Sequence, residues 1–211
     1  MTFDRTSAEG LRFRLRRATA RAHQQLEATI SVEAMCASLE LYRDLLRRMW
    51  GVYAPLEAAL MGVDWPGSAE WASNRRKASW LRADLRALGM TDGEIGSLPV
   101  STSLPAVAIP ADVFGVLYVL EGATLGGQVI LPRVAILGLS ADRGARFYTG
   151  YGRETGAYWR AFVDRLEAFG EPPPIADRIE AAAIATFESI RAWMSHGAAK
   201  MAQCEDGSDG V

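Results

Sequence analysis

Two histidines and two cysteines are the only imidazole and thiol groups in this 211-residue chain, so metal or nucleophile chemistry has few places to sit. His23 is the more informative of the histidines. Thr19 stands one helical turn before it, and Leu26 and Glu27 one turn after, so its imidazole borders the apolar face of a helix. Glu27 at i+4 can hold one ring nitrogen while the other binds a metal, the usual outer arrangement of a metal-bound imidazole. The plainer reading is a core histidine hydrogen-bonded to a neighbour. His196 reads as a residue near the end of the last helix, where its charge suits the macrodipole. Hydrolase readings are weak, because neither histidine stands near a GxSxG elbow or a papain-like cysteine. HExxH, GxxxxGK[ST] and a strand-preceded GxGxxG are all missing from the sequence, and so is any CxxC pair. A ferritin-like di-iron site needs Glu three residues before a histidine, which neither His23 nor His196 has.

The second unusual feature is Leu120-Glu121-Gly122-Ala123-Thr124-Leu125-Gly126-Gly127-Gln128, which lies inside a helical hydrophobic pattern. Each interior glycine costs roughly 1 kcal/mol relative to alanine, so Gly122, Gly126 and Gly127 imply a helix break or a need for missing side chains. Two readings stand side by side: a flat ligand lying on bare backbone, or close helix packing through small residues. An imidazole from one helix and a bare surface on another could sandwich a planar macrocycle such as heme. Arg16, two turns before His23 on nearly the same face, suits a propionate carboxylate, because guanidinium stays charged and bonds in bidentate fashion. For any single arginine here, a solvated surface position is the ordinary alternative.

Helices must position these residues. Apolar residues at helical spacing predict helices over Glu9 to Ile30, Val32 to Leu60 with Pro55 inside, Asn74 to Leu88, Asp112 to Ile130, Tyr158 to Phe169 and Ile175 to Met194. Gly62 to Gly67 reads as a turn and Thr91 to Pro110 as the longest irregular stretch, with Asp112 capping the helix that follows. No run alternates apolar and polar residues, so the expectation is one all-α domain over 1–203 with a polar tail over 204–211. Acidic residues exceed basic ones by two, which removes the general basic field of nucleic-acid binding. The apolar stretch Val113 to Leu139 carries Glu121, Pro132 and Arg133, making it a buried helix rather than a membrane span. Reduced cysteines and an arginine-rich start with no apolar region point to the cytoplasm.

Leu15-Arg16-Arg17-Ala18-Thr19-Ala20-Arg21-Ala22-His23-Gln24-Gln25-Leu26-Glu27 resembles the proximal-helix motif of heme oxygenases. Tyr118-Val119-Leu120-Glu121-Gly122-Ala123-Thr124-Leu125-Gly126-Gly127-Gln128 resembles their distal helix, in the bacterial style, and the helix order matches along nearly the whole chain. The resemblance implies a multi-helix bundle holding heme between a proximal helix and a kinked glycine-rich distal one. It implies His23 as iron ligand, Glu27 at the acidic position beside it, and Arg16 and Arg160 as propionate partners. Thr19, Tyr118 and Ala123 become heme-contacting positions, with Gly122, Gly126 and Gly127 over the heme face. Animal members have an aspartate where this chain has Ala123, which leaves the organisation of distal water open. The implied reaction is O2-dependent cleavage of heme to biliverdin, carbon monoxide and ferrous iron, with electrons from a ferredoxin or reductase. Arg75, Arg76, Arg82 and Arg86 offer one docking face for that donor, although a solvated helix face is the ordinary reading. The biliverdin would supply a bilin-binding photoreceptor or accompany iron release. A non-catalytic heme carrier or sensor is the alternative, and a scaffold that has lost heme fits less well with His23 intact.

Overall fold

The helix that carries His23 runs over Leu11–Thr29 (α1) in the computed structural model, which describes residues 10–205. It buries Leu11, Leu15, Thr19 and Ala22, the stripe expected from three- and four-residue spacing. Gly10 caps its N-terminus without a side chain, and the free N–H groups find a partner elsewhere in the chain. Leu11 and Arg12 donate their backbone N–H to the two carboxylate oxygens of Glu167 at 2.7 and 2.8 Å. Arg14 then bonds Asp177 at 2.5 Å and Glu180 at 2.8 Å, so α1 is tied at its start to two later helices. The predicted start at Glu9, like residues 206–211 of the predicted tail, lies outside the described residues.

The predicted second helix is two elements, Val32–Met35 (α2) and Leu39–Met61 (α3), because Ser38 caps α3 by accepting the N–H of Leu41 at 3.2 Å. Pro55 sits inside α3 without breaking it. Proline has no N–H to give the Gly51 carbonyl, and Ser101 supplies that hydrogen bond from a crossing segment at 2.8 Å. Gly51 permits the crossing, since a Cβ there would lie 2.8 Å from the Pro99 carbonyl oxygen and 2.5 Å from the Trp193 ring.

Ser68–Asn74 (α4) takes up Asn74, and the next helix begins at Ala78 rather than Asn74, running over Ala78–Ala87 (α5). Arg75, Arg76 and Lys77 form the junction between them. The stretch expected to be irregular contains Asp92–Gly96 (α6), started by a Thr91–Glu94 capping box.

The longest apolar helix covers Pro110–Ile136 (α7) and starts two residues earlier than predicted. Asp112 is three residues inside the helix instead of at its cap, and its carboxylate reaches back to the N–H of Ala108 and Ile109 at 3.0 and 3.2 Å. Its length and composition would let it span a membrane, yet 56% of its apolar window is buried within the protein. Two short turns, Arg146–Thr149 (α8) and the 3-10 helix Gly152–Glu154, lead into Thr155–Phe169 (α9), and Pro173–Glu205 (α10) closes the bundle. The last helix extends past His196 and through Cys204, so His196 is not at its end and 204–205 are helical. Helices α7 and α10 make the most extensive contact in the bundle. At Gly115 a Cβ would come within 2.5 Å of the Ala182 methyl, so glycine sets this close approach. No strand occurs among the described residues, and the fold is an all-α single domain.

Candidate functional site

Between α1 and α7 lies a cleft of two lobes, about 480 Å³ and about 420 Å³, which share a wall of Leu26, Glu27, Ile30, Met49, Tyr53 and Ala123. Arg16, Thr19, His23, Glu27, Tyr118, Gly122 and Ala123 all line the first lobe, and Gly126 and Gly127 line the second. Residues 91 to 111 positions apart in sequence therefore meet around one cleft, as the paired motifs anticipate. Arg160 does not join them. It is exposed on α9, and the neighbouring Trp159 forms the wall instead.

The imidazole of His23 is held from two directions. Its Nδ1 lies 3.5 Å from a Glu27 carboxylate oxygen, and its ring meets Phe187 of α10 edge-on at 5.4 Å. With Nδ1 turned to Glu27, Nε2 is the nitrogen left for a guest in the cleft. One turn earlier the buried Thr19 hydroxyl donates to the Leu15 carbonyl at 2.8 Å. Burial pushes the Tyr118 phenol up from its ordinary value, while a hydrogen bond with Thr19 and the charges of Arg16 and Arg12 pull it partly back. Arg16 itself is exposed at the rim, free to swing onto an acidic group.

The helix α7 runs unbroken through its three glycines, so their use lies in the side chains they lack. Gly126 has open space where a Cβ would project, and a Cβ at Gly122 would only graze Trp159 at 3.9 Å. Gly127 differs: a Cβ there would stand 3.1 Å from the Tyr148 carbonyl oxygen. The glycine run thus has two kinds of surroundings, open space at Gly122 and Gly126 and tight packing at Gly127.

Beneath this floor is a buried ion cluster. Glu121, 1% exposed at its side chain, meets Lys77 Nζ at 2.7 Å and Arg75 at 3.5 Å, with the Tyr151 hydroxyl 3.1 Å from both carboxylate oxygens. Arg75 is therefore no part of an exposed docking face. It lies before α5 and inside the protein, 4% exposed, with its guanidinium over the Tyr158 ring. Arg82 and Arg86, which do remain on the surface, both pair with Asp92. Lys77 lines the second lobe. Met49, Tyr53, Lys77, Phe187 and Ile190 complete the walls and carry no motif of their own. Burial, followed by the nearby carboxylates of Glu57 and Glu121, holds the Tyr53 phenol well above its ordinary value. The sequence signal for such a cluster is Glu121 itself, a lone carboxylate in an apolar helix that needs a buried partner, without saying which residue supplies it.

An imidazole with one nitrogen turned to Glu27 and a bare stretch of α7 line one apolar cleft of this all-α protein. The chain belongs to the heme oxygenase family, whose model matches residues 9–196. That family takes heme as its substrate. Among solved structures, the chain is similar to the NO- and CO-bound heme oxygenase from Neisseria meningitidis, at 21% identity and a TM-score of 0.63, covering 90% of this chain and 92% of that one. It is also similar to heme oxygenase 2 from Chlamydomonas reinhardtii, solved without heme, at 20% identity, TM-score 0.67 and coverage of 88% and 96%. The heme oxygenase from Leptospira interrogans aligns at 18% identity and a TM-score of 0.70, covering 89% of this chain and all of that one. No curated protein matches the sequence.

Proposed function

We propose that the protein binds heme in the cleft between α1 and α7 and cleaves it to biliverdin, carbon monoxide and ferrous iron, with O2 and an electron-donor protein as co-reactants. The observation that carries this reading is the placement of His23, its Nδ1 occupied by Glu27, in the same lobe as Gly122 and Ala123. The donor set suits the group: one imidazole for the iron, an apolar slot for the macrocycle, and Arg16 at the rim for a propionate. When bound, heme supplies the redox-active iron and is itself the molecule opened.

The chain's own residues bind and orient. Glu27 holds the His23 ring in one orientation and enriches its electron density, and Phe187 fixes the tilt of that ring. Gly122 and Gly126 let the backbone of α7 stand close to the macrocycle, and apolar walls from α3, α7 and α10 exclude bulk water. No side chain is required as a nucleophile, in keeping with the missing triad. Electrons come from a ferredoxin or reductase in the cytoplasm, and the product serves a bilin-binding photoreceptor or accompanies iron release.

The test is an absorption time course of the hemin-loaded protein under air, with catalase present and ascorbate or a ferredoxin system as reductant. Loss of the Soret band with growth of a broad red biliverdin band is the expected result, and His23→Ala abolishes it while the helical circular dichroism stays. A heme spectrum that persists under both reductants overturns cleavage in favour of a carrier or sensor, a reading that Ala123, with no polar group at its position, would then explain.

A further inference from the structure

At the end of α3 the chain turns through Gly62 and Gly67 into α4, and beside this turn lies a separate hollow of about 420 Å³. Leu60, Met61 and Val63 line it together with Trp65 and Trp71, and it shares no residue with the cleft between α1 and α7. The two indole rings are committed to packing. Trp65 meets Phe114 of α7 edge-on at 5.8 Å and Trp71 at 6.3 Å, which leaves the two tryptophans 6% and 2% exposed. Their N–H groups are not committed. Neither Nε1 atom has a hydrogen-bond partner among the described residues, although both are closed off from bulk solvent. A buried tryptophan ordinarily finds an acceptor, because an unpaired donor gives up its bond to water and gains nothing in return. Trp193 does so in this protein, donating to the Arg48 carbonyl at 3.0 Å. Two unpaired indole donors on the wall of one hollow therefore call for an explanation of their own.

The rest of the wall narrows what could satisfy them. Asp64 carries its only charge, is exposed, and has no ion-pair partner among the described residues. Arg165, which stands beside Gly67, is taken up by Glu70 and does not offset it. An anionic guest would meet that uncompensated carboxylate, and an ammonium group would bring further donors to a site already short of acceptors. A carbonyl oxygen has two lone pairs and no proton to place, and an apolar body behind it suits Leu60, Met61 and Val63. We infer that this hollow is a ligand site for an uncharged, mainly apolar carbonyl compound, whose oxygen accepts the N–H groups of Trp65 and Trp71. Met61, exposed and flexible, is the member of the wall that repacks to admit it.

The test reads the indole N–H resonances of the full chain in 1H–15N spectra, where Trp65→Phe and Trp71→Phe identify two of the six signals. Cyclohexanone is the probe, and cyclohexene is the same ring without the oxygen. Saturable downfield movement of the Trp65 and Trp71 signals with cyclohexanone, and not with cyclohexene, is the expected result. Each phenylalanine variant keeps an apolar ring and should weaken cyclohexanone about three- to tenfold, the scale of one hydrogen bond, read from the tryptophan that remains. Where a variant fails to fold, through-bond assignment of the wild-type signals lets the titration stand by itself. Cyclohexanecarboxylate should bind Asp64→Asn and not the wild type. Signals that stay in place up to the solubility of cyclohexanone, or that respond alike to cyclohexene, overturn the site. Movement of the Trp159 signal alone puts the ketone in the cleft and overturns it as well. Wild-type protein that takes the carboxylate as readily as the ketone overturns the uncharged class. None of these signals depends on whether the cleft takes heme, so the two readings fail separately.

Discussion

Gly126 and Gly127 are neighbours with opposite surroundings, and the difference is measurable one residue at a time. At Gly126 an added methyl meets nothing, so Gly126→Ala should gain helix propensity and stabilise the protein by up to about 1 kcal/mol. At Gly127 the same methyl falls 3.1 Å from the Tyr148 carbonyl oxygen, so α8 must shift, and Gly127→Ala should be the less stable variant by about 1 kcal/mol or more. Thermal unfolding of the two apoproteins checks this, and equal midpoints would mean that α8 moves freely. Gly126→Leu extends the comparison to binding, since its side chain would enter the second lobe and should weaken hemin affinity without unfolding the helix. The sequence signalled that three glycines were unusual, but which faced open space depended on α8, an element from outside the motif. Glu121 shows the same limit from the other side. Its need for a buried cation could be read from its apolar neighbours, whereas Arg75 and Lys77, in a basic run resembling a solvated face, could be selected only by the fold.

The elements that hold the cleft are pinned by carboxylates, and two of these pins give tests at the scale of a helix. Glu167 takes both free N–H groups at the start of α1, so Glu167→Ala should cost about 1–2 kcal/mol, the scale of a lost helix cap, with the loss seen as a lower urea midpoint. Asp84 does the same for α8, accepting the N–H of Arg146 and of Phe147 at 2.8 Å each. Burial pushes its carboxyl up from 3.8 to about 6, against the pull of those two N–H groups and of Arg146. The folded protein therefore holds a proton there that the unfolded chain has lost. Its stabilising contribution is full below the ordinary carboxylate range and disappears as pH rises through about 6. Wild type should lose stability relative to Asp84→Asn between about pH 5 and about pH 7, and a flat difference across that window would show that the carboxyl titrates normally. The hydrophobic pattern located α1, α3, α9 and α10, which each present an apolar stripe to the core, and α7, which is apolar nearly all round and buried along its first half. It merged α2 with α3 and passed over α6, since Ser38 and the Thr91–Glu94 pair act through local hydrogen bonds that leave the hydrophobic pattern unchanged.

At the scale of the whole molecule, the cleft is where four of the longest helices come together without filling the space between them. Its walls belong to α1, α3, α7 and α10, and the half of α7 beyond Thr124 has Leu125, Val129 and Ile136 exposed while the half before it is buried. A guest that touches all four helices binds the folded state only, so it should stabilise the entire bundle by mass action, about 2.7 kcal/mol at a hundredfold excess over its dissociation constant. For a chain of this length that corresponds to a rise of roughly 5–10 °C in the unfolding midpoint. Hydrogen exchange resolves where the gain falls. Before hemin is added, amides of Leu125–Ile136 should exchange faster than those of Pro110–Thr124, because fewer buried contacts oppose local opening. With hemin, protection should rise in α1 around His23 and across Leu125–Ile136 together. His23→Ala should keep the pattern of the apoprotein and lose most of the midpoint shift, since the macrocycle would retain its apolar contacts without the imidazole bond that ties it to α1. Protection confined to α7, or a full midpoint shift in the His23 variant, would mean that the guest is held by the floor alone and that α1 does not carry the ligand.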